Sequence, residues 1–157
     1  MLKDLLEAVW RRVPRPVRRW SMRVTNPRFT VTAAAIVQNE KGDVLLLEHR
    51  FRAGSGWGIP GGFLEAGEQP EAGLRRELRE EIGLELESAE LFSARTFKKP
   101  KQVEIIFRAR SLGAALPRSM EIRGASWFSF EDLPQGLPED QRSLIKRALN
   151  DGAKRVD

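Results

Sequence analysis

The chain has 157 residues, 41% hydrophobic and 31% charged, with a net charge of +5. That length suits one domain able to hide roughly 70% of its unfolded surface, and the composition is ordinary for a globular protein. The absence of cysteine excludes disulfides, thiolate chemistry and cysteine-ligated zinc, while a lone His49 argues against histidine-rich metal sites and histidine-based triads.

The N-terminal segment MLKDLLEAVWRRVPRPVRRW carries neither a continuous apolar stretch nor a small-residue cleavage site. No run reaches the about 18 apolar residues that span a bilayer; the lack of cysteine fits a reducing compartment, and a cytoplasmic protein is expected. Leu2, Leu5, Leu6, Val9 and Trp10 recur at helical spacing, which predicts a short amphipathic helix over 2–12. Pro14 and Pro16 interrupt it, and Val17, Trp20 and Met22 predict a further turn or two of helix. Pro27 marks the boundary to the main domain, dividing the chain into an arginine-rich extension, 1–28, and a domain over 29–157.

From Phe29 the period changes. FTVTAAAIV (29–37) and VLLLEHR (44–50), separated by the turn NEKGD, predict a hairpin. A loop, FRAGSG, leads to a short strand, WGI. Pro70 suits a first helical turn and Gly83 a helix end, so the next element is a helix over about 70–82. Strands are predicted at 86–97 and 102–110, joined by the basic turn KKPK, then at 125–130, before a closing helix over 138–150. Strands interleaved with two substantial helices indicate an α/β domain with a helix on each face of its sheet.

The helix over 70–82 poses a problem. Leu74, Leu78 and Ile82 form one apolar row, while Glu77, Glu80 and Glu81 crowd another side. Arg76 can pair with Glu80 four residues on, but Glu77 and Glu81 repel one another at the same spacing. A hard divalent cation such as Mg²⁺ or Mn²⁺ would remove the conflict, because carboxylates one turn apart can converge on it. Gly61 and Gly62, placed between the short strand and the helix, would let backbone approach a metal or a phosphate closely.

These residues resemble the Nudix box. Its pattern is Gly, five residues, Glu, seven residues, Arg-Glu, an aliphatic, any residue, Glu-Glu, any residue, Gly, an aliphatic. Gly62, Glu68, Arg76, Glu77, Leu78, Glu80, Glu81, Gly83 and Leu84 fill every fixed position. Such a match would arise by chance on the order of once in 10⁹ windows, so it is highly specific.

The resemblance implies a Nudix-type α/β/α sandwich, a mixed β-sheet flanked by helices, with the N-terminal helical extension outside it. It implies hydrolysis of a nucleoside diphosphate linked to another moiety, or of a nucleoside triphosphate, with Mg²⁺ or Mn²⁺. Glu77, Glu80 and Glu81 would be the metal ligands, with the Gly61 carbonyl as a further candidate. Glu68 and Arg76 would form an internal salt bridge that shapes the loop around the helix. Divalent ions would neutralise phosphate oxygens and acidify a bound water. A carboxylate at the edge of the cluster would then take the proton. Glu77 is one candidate, Glu121 in SMEIRGASWFSFEDLP is the leading later one, and Glu104 competes. Arg50 resembles a position that meets substrate phosphate, whereas His49 reads as structural.

The substrate is less legible. Pro100 stands sixteen residues after Leu84, a spacing similar to a marker of ADP-ribose hydrolases, although an exposed turn also accounts for a proline. Lys98, Lys99 and Lys101 could guide an anion or merely blunt a sheet edge. Trp57 and Phe97 are candidates for stacking on a base and equally for the core. A nucleotide-type small molecule is the expected partner. Three readings compete for Arg11, Arg12, Arg15, Arg18, Arg19 and Arg23. The favoured one packs Leu5, Val9 and Trp20 on the domain or on a second subunit of a homodimer. The others are contact with an anionic membrane surface and contact with RNA, which would make the substrate an RNA 5′ end. A nucleotide-binding regulatory module without hydrolysis is the alternative to an enzyme.

Overall fold

The computed structural model describes residues 3, 7, 10–11, 13–52, 54–111 and 113–153. A first helix, α1 (Arg15–Thr25), leads into seven strands: β1 (Thr30–Gln38), β2 (Val44–His49), β3 (Trp57–Gly58), β4 (Gly61–Phe63), β5 (Ser88–Phe97), β6 (Gln102–Arg110) and β7 (Ile122–Phe128). Helix α2 (Pro70–Ile82) follows β4, and α3 (Glu139–Ala153) closes the chain.

The sheet is mixed. Its main path runs β3-β2-β1-β6-β5, with β4 pairing with β1 and β7 pairing with β2. β1 and β6 run parallel in unbroken register from Thr30↔Gln102 to Gln38↔Arg110. The other pairings are antiparallel. Successive side chains of a strand point to opposite faces, so a strand covered on both sides must be apolar throughout. β1 does this with small residues. Ala33, Ala35 and Val37 join Leu45, Leu47 and Phe107 under Leu74, Leu78 and Ile82 of α2. Ala34 and Ile36 join Val44, Leu46 and Ile106 under Leu144, Ile145 and Ala148 of α3. The expected sandwich with a helix on each face is present.

Several boundaries differ from expectation, each for a tertiary reason. β4 was not anticipated, since a Gly-Gly pair has no intrinsic strand preference; it forms because Thr32, Ala33 and Ala34 of β1 offer it a ladder. β7 starts at Ile122, three residues early, because a bulge between Glu48 and His49 extends its pairing with β2 as far as His49↔Ile122. The helix expected over 2–12 falls largely outside the described residues, and Leu5 and Val9 with it. α1 is longer than the turn or two expected, and Pro16 sits in its first turn, where a missing N–H costs nothing. Trp20 is 66% exposed, so its expected packing against the domain is not what the fold shows.

Candidate active site

Helix α2 carries most of the site. Pro70 opens it, and Gly83 ends it in the left-handed conformation (φ 66°, ψ 21°) that a glycine adopts without strain. The N–H groups of Gly83 and Leu84 close the last turn onto the carbonyls of Arg79 and Leu78, at 3.0 and 3.2 Å. With Leu74, Leu78 and Ile82 fully buried, the helix cannot rotate, and its carboxylates are held at one edge of the sheet.

Arg76 organises that edge. Its Nε and Nη2 donate to the two oxygens of Glu68 at 2.9 and 3.0 Å, a bidentate pair, while Nη1 reaches Glu77 at 3.0 Å and Glu80 at 3.3 Å. Nη2 also donates to the Phe63 carbonyl at 3.1 Å. The hydrogen bonds from Arg76 and from the Glu65 N–H hold the Glu68 carboxyl below its usual range, and Glu68 in turn raises the pKa of Arg76. This changes the sequence argument in one respect. Glu77, expected to lack a counter-charge, shares Arg76 with Glu80.

Glu81 has no such hydrogen-bonded cation among the described residues. It is 9% exposed, and among the described residues its buried Oε2 has no hydrogen-bond partner. Burial, then the charges of Glu77 and Glu121, push its pKa up to about 7, against an opposing pull from Arg52. Glu121 is brought into range by the loop over 113–121, whose backbone packs on the end of α2. Leu116 donates to the Ile82 carbonyl at 2.9 Å, and Arg118 and Ser119 donate to that of Glu81 at 2.7 and 3.2 Å. These bonds also satisfy carbonyls that a helix end leaves open.

The two glycines have different reasons. A Cβ at Gly62 would stand 2.2 Å from the Glu77 carboxyl carbon, so the missing side chain is the space that carboxylate fills. At Gly61 (φ 154°) a Cβ would meet backbone, the Ala33 carbonyl at 2.3 Å and Ala34 Cα at 2.5 Å. Gly61 therefore lets β4 lie close on β1.

The other candidates fall in several places. The backbone N–H of Arg50 donates to the Glu121 carbonyl at 2.7 Å and its Nε to that of Met120 at 3.0 Å, which ties β2 to the Glu121 loop. Trp57 packs edge-on against Phe128 with ring centroids 5.2 Å apart, on the α3 side of the sheet. Lys99 is exposed in the β5–β6 turn, and the Phe97 ring lies 4.8 Å under the Arg95 guanidinium. Glu104 is gripped by Arg95 at 2.5 Å, and Arg95 also bonds Asp140 of α3 at 2.7 Å. Among the described residues the buried Nε2 of His49 has no hydrogen-bond partner; burial, and secondarily Arg52, lower its pKa to about 4.

Sequence reasoning missed Arg52. Though exposed as a residue, it lays its guanidinium against Gly58, where a Cβ would come 1.7 Å from Nη1. Desolvation lowers its pKa, while Glu104 and Glu81 pull the other way. Among the described residues no hydrogen bond or ion pair engages that guanidinium. The signal available was a second arginine in HRFRAG just before the box, but its placement depends on the loop folding back over Gly58.

Among the described residues no group of three or more histidine or acidic side chains stands placed to hold a metal ion. The donor set nevertheless fits a hard divalent cation. Glu81 offers a buried oxygen lacking a partner among the described residues, Glu77 and Glu80 lie on the same helix side, and the Glu80 carboxylate, held only by Arg76 at 3.3 Å, is 61% exposed.

The comparisons agree with this geometry. The NUDIX domain model matches residues 28–148. A MutT-like protein of Streptomyces ambofaciens is 33% identical over 128 residues, covering 81% of this chain and 80% of that one. An 8-oxo-dGTP diphosphatase of Haemophilus influenzae is 36% identical, over 76% of this chain and 90% of its own. An NAD-capped RNA hydrolase, NudC, of Pseudomonas aeruginosa is 34% identical over 79% of this chain, which spans only 44% of that longer protein. In the solved structure of a MutT NUDIX hydrolase from Burkholderia pseudomallei, 98% of the chain superposes on 76% of this one, with a TM-score of 0.68 and 26% identity. With the whole box filled and the family model covering most of its length, the chain belongs to the NUDIX family of hydrolases.

Proposed function

We propose that the chain hydrolyses the diphosphate linkage of a nucleotide-type substrate in the cytoplasm, through the domain over 29–157. Mg²⁺ or Mn²⁺ would be held by Glu77, Glu80 and Glu81, with the Gly61 carbonyl as a further ligand. The observation that carries this reading is Glu81, a buried carboxylate with an unpartnered oxygen and acidic neighbours. Such a group is costly unless a cation completes it. Bound metal supplies charge neutralisation at the phosphate oxygens and a more acidic water.

The chain's own residues supply the rest. Arg52, which has no hydrogen bond or ion pair among the described residues and feels the charges of Glu104 and Glu81, binds a substrate phosphate and orients the diphosphate. Glu68 is occupied by Arg76, Glu104 by Arg95, and Glu77 by Arg76. Glu121 is exposed, and among the described residues its carboxylate has no hydrogen bond or ion pair, so it is the proton acceptor. Water oxygen bonds to one phosphorus as the bridging P–O bond breaks; Glu121 takes the water's proton, and the displaced phosphate leaves with the bridging oxygen.

The test is product release from nucleoside triphosphates, nucleotide sugars, ADP-ribose, dinucleotides and capped RNA with each metal. Glu81→Gln and Glu80→Gln are expected to lower turnover by orders of magnitude with the fold retained; full activity in both variants refutes the assigned metal site. A second reading, action on an RNA 5′ end, is favoured by the similarity to NAD-capped RNA hydrolases, and preferred turnover of capped RNA over the free dinucleotide would establish it. Nucleotide binding without product release under every condition would instead indicate a regulatory module.

A further inference from the structure

Helix α1 displays two valines and a tryptophan to solvent. Val17, Trp20 and Val24 fall at i, i+3 and i+7, one stripe of a helix, and are 50%, 66% and 65% exposed. Trp10, just upstream, is also half exposed. By sequence the same eleven residues contain four arginines and no carboxylate. Folding normally hides such a stripe, and leaving it outward on a helix whose sequence holds arginines and no carboxylate calls for an occupant that is both apolar and anionic.

We propose that α1 is an interfacial anchor that lies on an anionic lipid surface, with Trp20 and its valine neighbours inserted at the headgroup–acyl boundary and arginines at the phosphates. Charge complementarity selects this occupant. A second copy of the helix would cover the stripe but bring two carboxylate-free, arginine-rich segments together, at a like-charge cost. RNA would satisfy the arginines, yet the valines neither stack on bases nor bond phosphates. A lipid surface meets both requirements, the pattern of a helix that lies in the interface plane. No helix among the described residues is long and apolar enough to cross a membrane, so attachment is superficial.

The rest of the domain supports the same orientation. The Thr30 N–H, at the start of β1 just after α1, donates to the Lys101 carbonyl at 3.0 Å. The exposed Lys98, Lys99 and Lys101 therefore sit at the end of the sheet where the helix joins. Each basic residue near an anionic leaflet adds attraction that fades within a Debye length.

The experiment is co-sedimentation of the full chain with vesicles of phosphatidylcholine alone or mixed with phosphatidylglycerol, at low and at about 0.5 M salt. Binding is expected only to the anionic vesicles, with a blue shift of tryptophan emission. Trp20→Glu and Arg15→Glu should each weaken it about tenfold or more, while turnover of a soluble nucleotide stays unchanged. The proposal is overturned if wild type ignores anionic vesicles, or if it binds them equally well after Trp20→Glu. It is overturned too if Trp20→Glu instead dissociates a dimer, or abolishes single-stranded RNA binding by a protein that does not bind vesicles.

Discussion

The Arg76 guanidinium grips both carboxylate oxygens of Glu68, eight residues earlier, while its remaining nitrogen spans Glu77 and Glu80. One planar cation thus sets the loop over 63–68 and aims two carboxylates at once. A lysine keeps the charge but cannot make the fork. Arg76→Lys is therefore expected to cost turnover about tenfold or more and to lower the urea midpoint, both read on the same preparation.

Gly61 and Gly62 separate fold from activity. Gly62→Ala places a methyl where the flexible Glu77 carboxylate lies, so that group moves aside. Thermal unfolding should stay near wild type while turnover falls about tenfold or more, as misplacement of Glu77 in its proposed role as a metal ligand would require. Gly61→Ala meets unyielding backbone in a left-handed region and should destabilise the fold by about 2 kcal/mol or more. Equal stability of the two variants would contradict this division.

Glu81 and His49 give the metal-free protein opposing pH dependences. Glu81 is raised from 4.5 to about 7, so its contribution is intact below pH 4.5 and is lost as pH rises towards 7. His49 is lowered from 6.5 to about 4, so its contribution is intact above pH 6.5 and is lost as pH falls towards 4. Each is worth about 3 kcal/mol at most, and the slopes largely cancel between pH 4.5 and 6.5. Denaturant titrations should then show stability rising with pH in Glu81→Gln and falling with pH in His49→Gln. Added Mg²⁺ should restore wild-type stability most at pH 7 and above, where Glu81 has lost its proton.

Arg52 is expected to act on substrate binding. Arg52→Ala should raise KM about tenfold or more, the loss of one charge-assisted phosphate contact, and change kcat less. Steady-state kinetics on the preferred substrate provides the check; an unaltered KM would remove Arg52 from the site.

Glu121→Gln leaves a neutral side chain of the same size in an exposed loop. If Glu121 takes the proton, kcat should fall about 10²-fold or more, with metal affinity and unfolding temperature unchanged. A variant with wild-type kcat and weaker metal binding would make Glu121 a ligand instead.

The helix bearing the box was legible because its information is local. Leucines at helical spacing, Pro70 and Gly83 define α2 without help from the rest of the chain, and the motif spacing names Glu68, Arg76 and the three glutamates. The strands β1, β2, β5 and β6 were legible for the same reason, since a buried strand reads as an apolar run. What sequence could not show depends on partners distant in the chain. The strand β4 exists only because Ala33 and Ala34 are small enough to accept Gly61 and Gly62, and Arg52 faces Glu81 only because its loop folds over Gly58. Which glutamate lacks a hydrogen-bonded cation among the described residues was likewise decided in three dimensions. Arg76 reaches Glu77 as readily as Glu80, and the loop over 113–121 closes over Glu81 from more than thirty residues away. Spacing along a helix determines which charges are neighbours; only packing determines which of them is cut off from water, and that desolvation is what raises the proton affinity of Glu81.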